Sequence, residues 1–325
     1  MTSEVRSPNN EGRKPTSRRA FLQHTAIGLA AAASASVLTG AETNPAPGSS
    51  RWKYSICNET FSDWPQAKIF QFAAECGYRG VEIAPFTIDP DVRKISAATR
   101  TQLRQQAEQA GVELVGLHWL LAKTEGFHLT SPDVGVRRAT AAYLVELGRF
   151  CHDLGGKVMV FGSPKQRNLL PGVSREEGTK YAAEVLRTVM PTLAELGVIV
   201  ALEPLSPRTT NFMTTSAEAV ELAEQVDSPN CRLLLDCLAM SSESMAAPDV
   251  IRKYGSWLIH FHANDRNSQG PGMGDLDFAP IFRALRDVDY RGWISVEVFD
   301  TSPGGETIAR RSIEYMRRVA AQVTG

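Results

Sequence analysis

Residues 198–204 read VIVALEP, five apolar residues followed by a glutamate and a proline. Three later runs have a similar form: Cys231–Asp236, Trp257–His262 and Trp293–Val298. Each is a short, mainly apolar segment whose last or next-to-last residue carries a carboxylate or an imidazole. Short, continuous apolar runs are typical of strands in a parallel sheet covered by helices. The second half of the chain is therefore predicted to contain four successive parallel strands.

The first half of the chain repeats this pattern. Its four candidate strands are Trp52–Cys57, Gly80–Ala84, Glu113–His118 and Lys157–Phe161. Amphipathic stretches separate the strands, with apolar residues at steps of three and four, as in Val136, Ala139 and Tyr143. Eight βα units in about 280 residues predict an α/β fold, a single (β/α)8 TIM barrel over residues 52–325. A doubly wound open sheet is the competing fold, but no glycine-rich phosphate loop follows the first strand.

The composition is that of an ordinary globular protein and excludes several classes. Of 325 residues, 43% are hydrophobic and 22% charged, with 35 Lys+Arg against 36 Asp+Glu. This balance argues against a nucleic-acid-binding protein, which usually carries a basic stripe. Five cysteines without C-x-x-C spacing argue against a zinc ribbon or a disulfide scaffold.

The N-terminal residues have the order of features found in an export signal. Ser17-Arg18-Arg19-Ala20-Phe21-Leu22 precedes an uncharged, Ala-rich stretch over 26–41, and it resembles a twin-arginine signal. We expect residues 1–41 to be this signal, read by the twin-arginine translocase, and residues 42–51 to be a linker. The mature protein would then be periplasmic, without a stable membrane span. A disordered basic tail beside a short apolar helix is the alternative.

Polar side chains close four consecutive strands, at the edge where TIM barrels collect their chemistry. These residues are Glu203, Asp236, His262 and Glu297. Neighbouring strands lie about 4.8 Å apart, so four such side chains can converge on one ion. Three carboxylates and one imidazole favour Mn²⁺, Mg²⁺ or Co²⁺ and are compatible with Zn²⁺. One polar residue at a strand end is common, but four in succession predict a metal site.

His260 lies two residues before His262, on the same face of the strand. Only His262 lies at the rim, so we expect His260 to be a hydrogen-bonded residue one layer deeper. Asn264 and Asp265 follow directly and are candidates to support the metal ligands.

The Glu203, Asp236, His262, Glu297 series resembles the metal set of the xylose isomerase-like sugar isomerase/epimerase superfamily, over residues 52–320. Within it, the chain is most similar to ketose epimerases of the D-tagatose 3-epimerase type, in three segments: His260-Phe261-His262, Pro271-Gly272-Met273-Gly274 and Val296-Glu297-Val298-Phe299. The resemblance implies a metal-dependent sugar isomerase or epimerase that acts through an enediolate, with Mn²⁺ as the first expected metal. It implies that Glu203 and Glu297 are acid and base on opposite faces of the sugar, and it is compatible with a homo-oligomer.

Three positions differ from that branch. Thr209, Ala239 and Ser268 stand where it usually has a Glu, a His and an Arg that hold the sugar. The metal set is kept while these residues differ, which argues against a free ketohexose as the substrate.

Five further residues are candidates for substrate binding: Glu82, His118, Trp119, Lys165 and Arg266. His118 and Trp119 end the third strand, where an imidazole and an indole could bind and stack on a sugar. Glu82 lies in the second strand, and a purely structural role is the alternative for it and for His118. Lys165 belongs to the stretch Lys165-Gln166-Arg167 after the fourth strand, whose cations could meet a carboxylate or phosphate group or belong to a solvated loop. Arg266 lies close to the position of the missing arginine.

Other functions compete with an epimerase. A class II AP endonuclease shares this barrel, but it needs many His ligands, and Ala239 fills one expected ligand position. We therefore exclude it. A metal-dependent lyase that acts on 3-keto-glycosides stays open, because an enediolate can also undergo β-elimination. A non-catalytic sugar-binding barrel also stays open, although retention of both Glu203 and Glu297 argues against it.

Overall fold

A computed structural model describes residues 51–324 of the chain, and within them eight parallel strands form a closed barrel in sequence order. The strands are β1 (Lys53–Cys57), β2 (Gly80–Ile83), β3 (Glu113–Leu117), β4 (Val158–Phe161), β5 (Ile199–Leu202), β6 (Cys231–Asp236), β7 (Leu258–Ala263) and β8 (Trp293–Val296). Strand β8 pairs with β1, with Tyr54 opposite Ile294, so the sheet has no open edge. The predicted single TIM barrel is confirmed, and the doubly wound open sheet is wrong.

Helices connect the strands. They are α1 (Gln66–Cys76), α2 (Ala97–Ala110), α3 (Val134–Asp153), α4 (Arg175–Leu196), α5 (Ser216–Val226), α6 (Cys237–Met240), α7 (Ala247–Tyr254), α8 (Phe278–Asp287) and α9 (Gly305–Thr324). The single turn α6 adds a ninth helix to the described part of the chain, because Asp236 caps it directly after β6. Helix α4 begins at a capping box between Ser174 and Glu177 and ends at Gly197 in the left-handed region. None of the helices within residues 51–324 is long and apolar enough to cross a membrane.

Several strands are shorter than predicted, and this difference positions the site. Strand β5 ends at Leu202, because Pro204 has no N–H with which to extend the ladder. Glu203 therefore stands directly after β5, and Glu297 stands in the same way after β8. His118 likewise follows β3. The functional side chains thus lie at the carboxyl rim of the barrel.

A small apolar cluster lies beneath this rim. Val160, Ala201 and Leu234 are fully buried and pack together, apart from the large core between sheet and helices. Ala201 and Leu234 stand two residues before Glu203 and Asp236, and so lie on the same face of β5 and β6. This part of the barrel is therefore filled by side chains rather than open. All five cysteines are buried and free.

The proposed export signal, residues 1–41, lies outside the described residues, as does the proposed linker except for Arg51. The Arg51 guanidinium forms an ion pair of 2.9 Å with Asp289 and lies over the ring of Trp52. The end of the linker is thus attached to the barrel.

Candidate metal centre and active site

The four rim residues converge in space. Glu203, Asp236, His262 and Glu297 each offer one ligand atom, and these atoms all lie within 4.8 Å of one another. All four residues are buried. Bonds from a divalent cation to carboxylate oxygen and imidazole nitrogen are about 2.0–2.2 Å, so ligands on opposite sides of one ion are separated by about 4.4 Å. The spacing is therefore short enough for the four side chains to converge on one ion.

The electrostatics of this cluster favour a cation. Burial raises the pKa of Asp236 to about 8, reinforced by the nearby carboxylates of Glu203 and Glu297. Burial and Glu297 likewise raise the pKa of Glu203, whose Oε1 atom is buried without a hydrogen-bond partner. Burial alone would lower the pKa of His262, but Glu297 and Glu82 raise it well above its usual value. Buried carboxylates that repel one another are costly without a counter-charge, so the donor set fits a divalent cation.

His262 is held from both sides by carboxylates. Its Nδ1 atom lies 2.9 Å from Glu297 Oε2 and 3.4 Å from Glu203 Oε1, and its Nε2 atom lies 3.3 Å from Glu82 Oε2. Glu82 also binds Nε2 of His260 at 2.8 Å, which is the deeper, hydrogen-bonded position expected for that histidine. A carboxylate on the far nitrogen fixes the orientation of a metal-binding imidazole.

Asp236 is fixed by two donors. Its Oδ1 atom accepts a hydrogen bond of 2.7 Å from the backbone N–H of Ala239, and its Oδ2 atom accepts one from Nδ2 of Asn264. Asn264 therefore supports the cluster directly. Asp265 does not, because its carboxylate instead accepts from the backbone N–H groups of Arg266, Gly274 and Leu276 and orders that loop.

Glu203 occupies space that only a glycine leaves free. A Cβ atom on Gly162, which follows β4, would lie 1.8 Å from Glu203 Oε2. The backbone of Glu203 is held by Arg167, whose Nη1 atom donates to its carbonyl oxygen at 2.6 Å. Arg167 is fully buried, and burial lowers its pKa to about 10 although Glu203 opposes this shift.

Trp119 is the substrate-binding candidate that lies at the site. Its indole Nε1 donates to Glu297 Oε1 at 3.1 Å, and its side chain lines the cavity above the cluster. Its φ of 52° is in the left-handed region, which is strained for a bulky residue and is typical of functional positions. Trp119 therefore both orients Glu297 and forms part of the wall.

The other four substrate-binding candidates lie elsewhere. Glu82 is buried beneath His262 and does not line the cavity. His118 is fully buried, and its Nε2 atom lies 2.7 Å from Glu59 Oε2. Burial would lower the pKa of His118, but the neighbouring Glu59 carboxylate raises it to about 9.

Lys165 and Arg266 are the remaining two, and both are exposed. Neither lines the cavity, and Arg266 faces Asp275 at 3.6 Å in a neighbouring groove. Arg167, the other cation of the same stretch, is the one that lies buried beside Glu203. The sequence of this triplet does not indicate which of its two cations is buried and which is exposed.

A cavity of about 260 Å³ opens above the cluster. The carboxylates of Glu203, Asp236 and Glu297 line one part of it. The rest of its wall is uncharged and includes Trp119, Leu205, Leu238 and Phe299, together with the three small residues singled out in the sequence, Thr209, Ala239 and Ser268. The cavity can therefore hold a small molecule whose one end lies against the metal-binding residues.

A divalent cation should stabilise the protein more at pH 8 than at pH 5.5. The pKa of Asp236 is about 8 in the folded protein against about 3.9 in an unfolded chain, so the metal-free protein loses stability as the pH rises across this interval. A bound cation removes that penalty, and it competes with fewer protons at high pH. The measurement is the Tm of the protein with Mn²⁺ minus its Tm with EDTA, at pH 8 and at pH 5.5. The Asp236→Asn variant is the control, and in it most of this Tm difference should be lost. A wild-type difference independent of pH would contradict this account.

Comparison with known proteins agrees with the fold. Residues 70–319 match the model of the xylose isomerase-like TIM barrel family. A probable ketose 3-epimerase of Synechocystis sp. is 27% identical over 270 residues, which cover 77% of this chain and 89% of that protein. An L-ribulose 3-epimerase of Methylomonas sp. is 27% identical over 242 residues, covering 74% and 81%. The crystal structure of D-psicose 3-epimerase with D-tagatose from Clostridium cellulolyticum H10 superposes with a TM-score of 0.73 at 22% identity, covering 82% of this chain and 99% of that one.

Proposed function

The chain belongs to the xylose isomerase-like TIM barrel family, and we propose that it is a divalent-metal-dependent sugar isomerase or epimerase that acts through an enediolate. The observation that carries the proposal is the buried cluster of three carboxylates and one histidine at the base of a cavity. The relatives named above are sugar 3-epimerases, which places the chain in the isomerase class of enzymes.

Glu203, Asp236, His262 and Glu297 would hold the cation, for which Mn²⁺ is the first candidate and Mg²⁺, Co²⁺ and Zn²⁺ are compatible. When bound, a divalent cation supplies positive charge that stabilises the oxyanion formed when a carbon beside a carbonyl loses its proton. Without that charge the carbon acid is too weak for a carboxylate to deprotonate at a useful rate.

The proton transfers fall to Glu203 and Glu297. They follow β5 and β8, three strands apart in a ring of eight, so they reach the cavity from widely separated directions. One carboxylate can therefore remove the proton from one face of the sugar while the other returns a proton to the opposite face, which inverts the carbon. Trp119 and His262 each bind one oxygen of Glu297 and hold it in place. Because the carboxylates interact strongly, they titrate as one set.

The proposal is tested by incubating the metal-loaded protein with ketoses and 3-keto-glycosides in D₂O. Deuterium at the carbon beside the carbonyl, detected by NMR, is the expected result. Release of the aglycone would instead identify the β-eliminating lyase. Absence of both, with bound metal confirmed, would leave the non-catalytic sugar-binding barrel.

We further propose that the protein is exported to the periplasm by the twin-arginine translocase. Support comes from Arg18-Arg19 and the uncharged stretch that follows, and folded export suits a protein that acquires its metal beforehand. Replacing both arginines by lysine should retain the protein in the cytoplasm, as measured by fractionation of cells that express the full chain. Unchanged periplasmic recovery of the double variant would refute this route.

A further inference from the structure

We infer that the uncharged wall of the cavity binds an apolar aglycone, so that the substrate is an uncharged keto-glycoside with an aryl or alkyl substituent. This inference rests on the proposed function for the sugar end of the substrate. It concerns the part of the cavity beyond the metal-binding residues.

Three apolar side chains of the cavity wall lie close in sequence to the carboxylates of the cluster. Leu205, Leu238 and Phe299 each stand two residues after a carboxylate of the cluster, in the segments that follow β5, β6 and β8. All three line the cavity. A molecule with its reacting carbons at the carboxylates therefore has its outer part among these apolar side chains, where burial of a hydrocarbon group is favourable.

Phe299 is unusually exposed for a large hydrophobic residue. Within residues 51–324, the exposed large hydrophobic residues are Val134 and Phe299, each with 45% exposure. Val134 begins helix α3 and does not line the cavity, whereas Phe299 lies at its wall beside Trp119, with ring centroids 6.3 Å apart. An exposed aromatic ring next to a second one at a cavity is typical of a ligand-binding surface.

The charge of the residues that line the cavity favours a neutral ligand. Among the described residues that line the cavity, none is Lys, Arg or His. Arg167, the buried cation near Glu203, donates instead to backbone carbonyl oxygens. A phosphate or carboxylate on the outer part of the substrate would therefore find no cationic side chain on the cavity wall, whereas the hydroxyls of Thr209 and Ser268 suit a neutral sugar.

The test is calorimetric titration of the Mn²⁺-loaded protein with three probes. They are phenyl 3-keto-β-D-glucopyranoside, its methyl analogue, and the 6-phosphate of the methyl compound. We expect the Kd of the phenyl compound to be about tenfold lower than that of the methyl compound, the gain from burying most of one ring face. We expect the 6-phosphate to bind more weakly than the methyl compound.

Two variants localise the effect. In Phe299→Ser the phenyl-to-methyl preference should fall to about twofold or less. Val134→Ser makes a comparable change at an equally exposed residue outside the cavity and should keep the tenfold preference.

Three results with the wild-type protein would overturn the inference. They are equal binding of the phenyl and methyl glycosides, binding of neither, and binding of the 6-phosphate as tightly as the methyl compound. The deuterium assay separates this failure from that of the proposed function. Exchange with ketoses without a phenyl preference refutes the aglycone site alone. A phenyl preference without any exchange refutes the epimerase and leaves the aglycone site standing.

Discussion

Glu203→Gln and Glu297→Gln should each lower kcat/KM at least about 10³-fold. Glutamine keeps the size of the side chain and one oxygen that can face a metal, but it cannot take up or return a proton. The two losses should not add in the double variant, because each carboxylate carries one half of the same transfer. The measurement is deuterium exchange into the substrate, with the metal content of each variant determined in parallel.

The matched control is Glu113→Gln, the same substitution at the exposed start of β3, at the opposite end of the barrel. It should leave activity and metal content unchanged. Full activity in either Glu203→Gln or Glu297→Gln would refute the two-glutamate mechanism, whatever the metal content of that variant.

Gly162→Ala should reduce activity about 10²-fold although it adds only a methyl group. The added Cβ atom would lie 1.8 Å from Glu203 Oε2, so the carboxylate must leave its position. Displacement of a reacting group by about 1 Å costs on the order of 10²-fold in rate. Because the clash is with the end of a side chain that can rotate, we expect little change in the free energy of unfolding. Activity and thermal unfolding measured on one preparation give both quantities.

Gly111→Ala is the converse control. Gly111 ends helix α2 with a φ of 77°, and a Cβ atom there would meet nothing within 4 Å. This substitution should cost about 1 kcal/mol of stability, because an L residue is strained in the left-handed region, while activity stays unchanged. If both glycine variants lost activity in proportion to stability, the specific role of Gly162 would be refuted.

The barrel could be predicted because its signals are local. Apolar runs of four to six residues, separated by amphipathic helices, already specify eight parallel strands. The convergence of Glu203, Asp236 and Glu297 follows from their places at the ends of those strands. The exact strand ends could not be read, since hydrogen bonding can stop before the apolar pattern does, as in β8, which ends at Val296 although the predicted run continues to Val298.

The supporting residues could not be predicted, because their roles depend on depth and on loop conformation. Glu82 lies in a strand, but alternation gives only its face and not its layer beneath His262. His118 and His262 both lie at the ends of strands, and only the turn that carries Glu59 distinguishes the paired histidine from the one in the cluster. Lys165 and Arg167 lie in one irregular loop, where no periodicity indicates which cation is buried.

The central claim is that proton transfer at this site requires a cation held by the four converging side chains. The direct measurement is deuterium exchange into a ketose or 3-keto-glycoside substrate by wild-type protein before EDTA treatment, after it, and after Mn²⁺ is restored. The account predicts that exchange is lost with the metal and returns with one equivalent of Mn²⁺, and that Asp236→Asn does not recover at that concentration. Exchange at an undiminished rate in protein shown to be free of metal would contradict it.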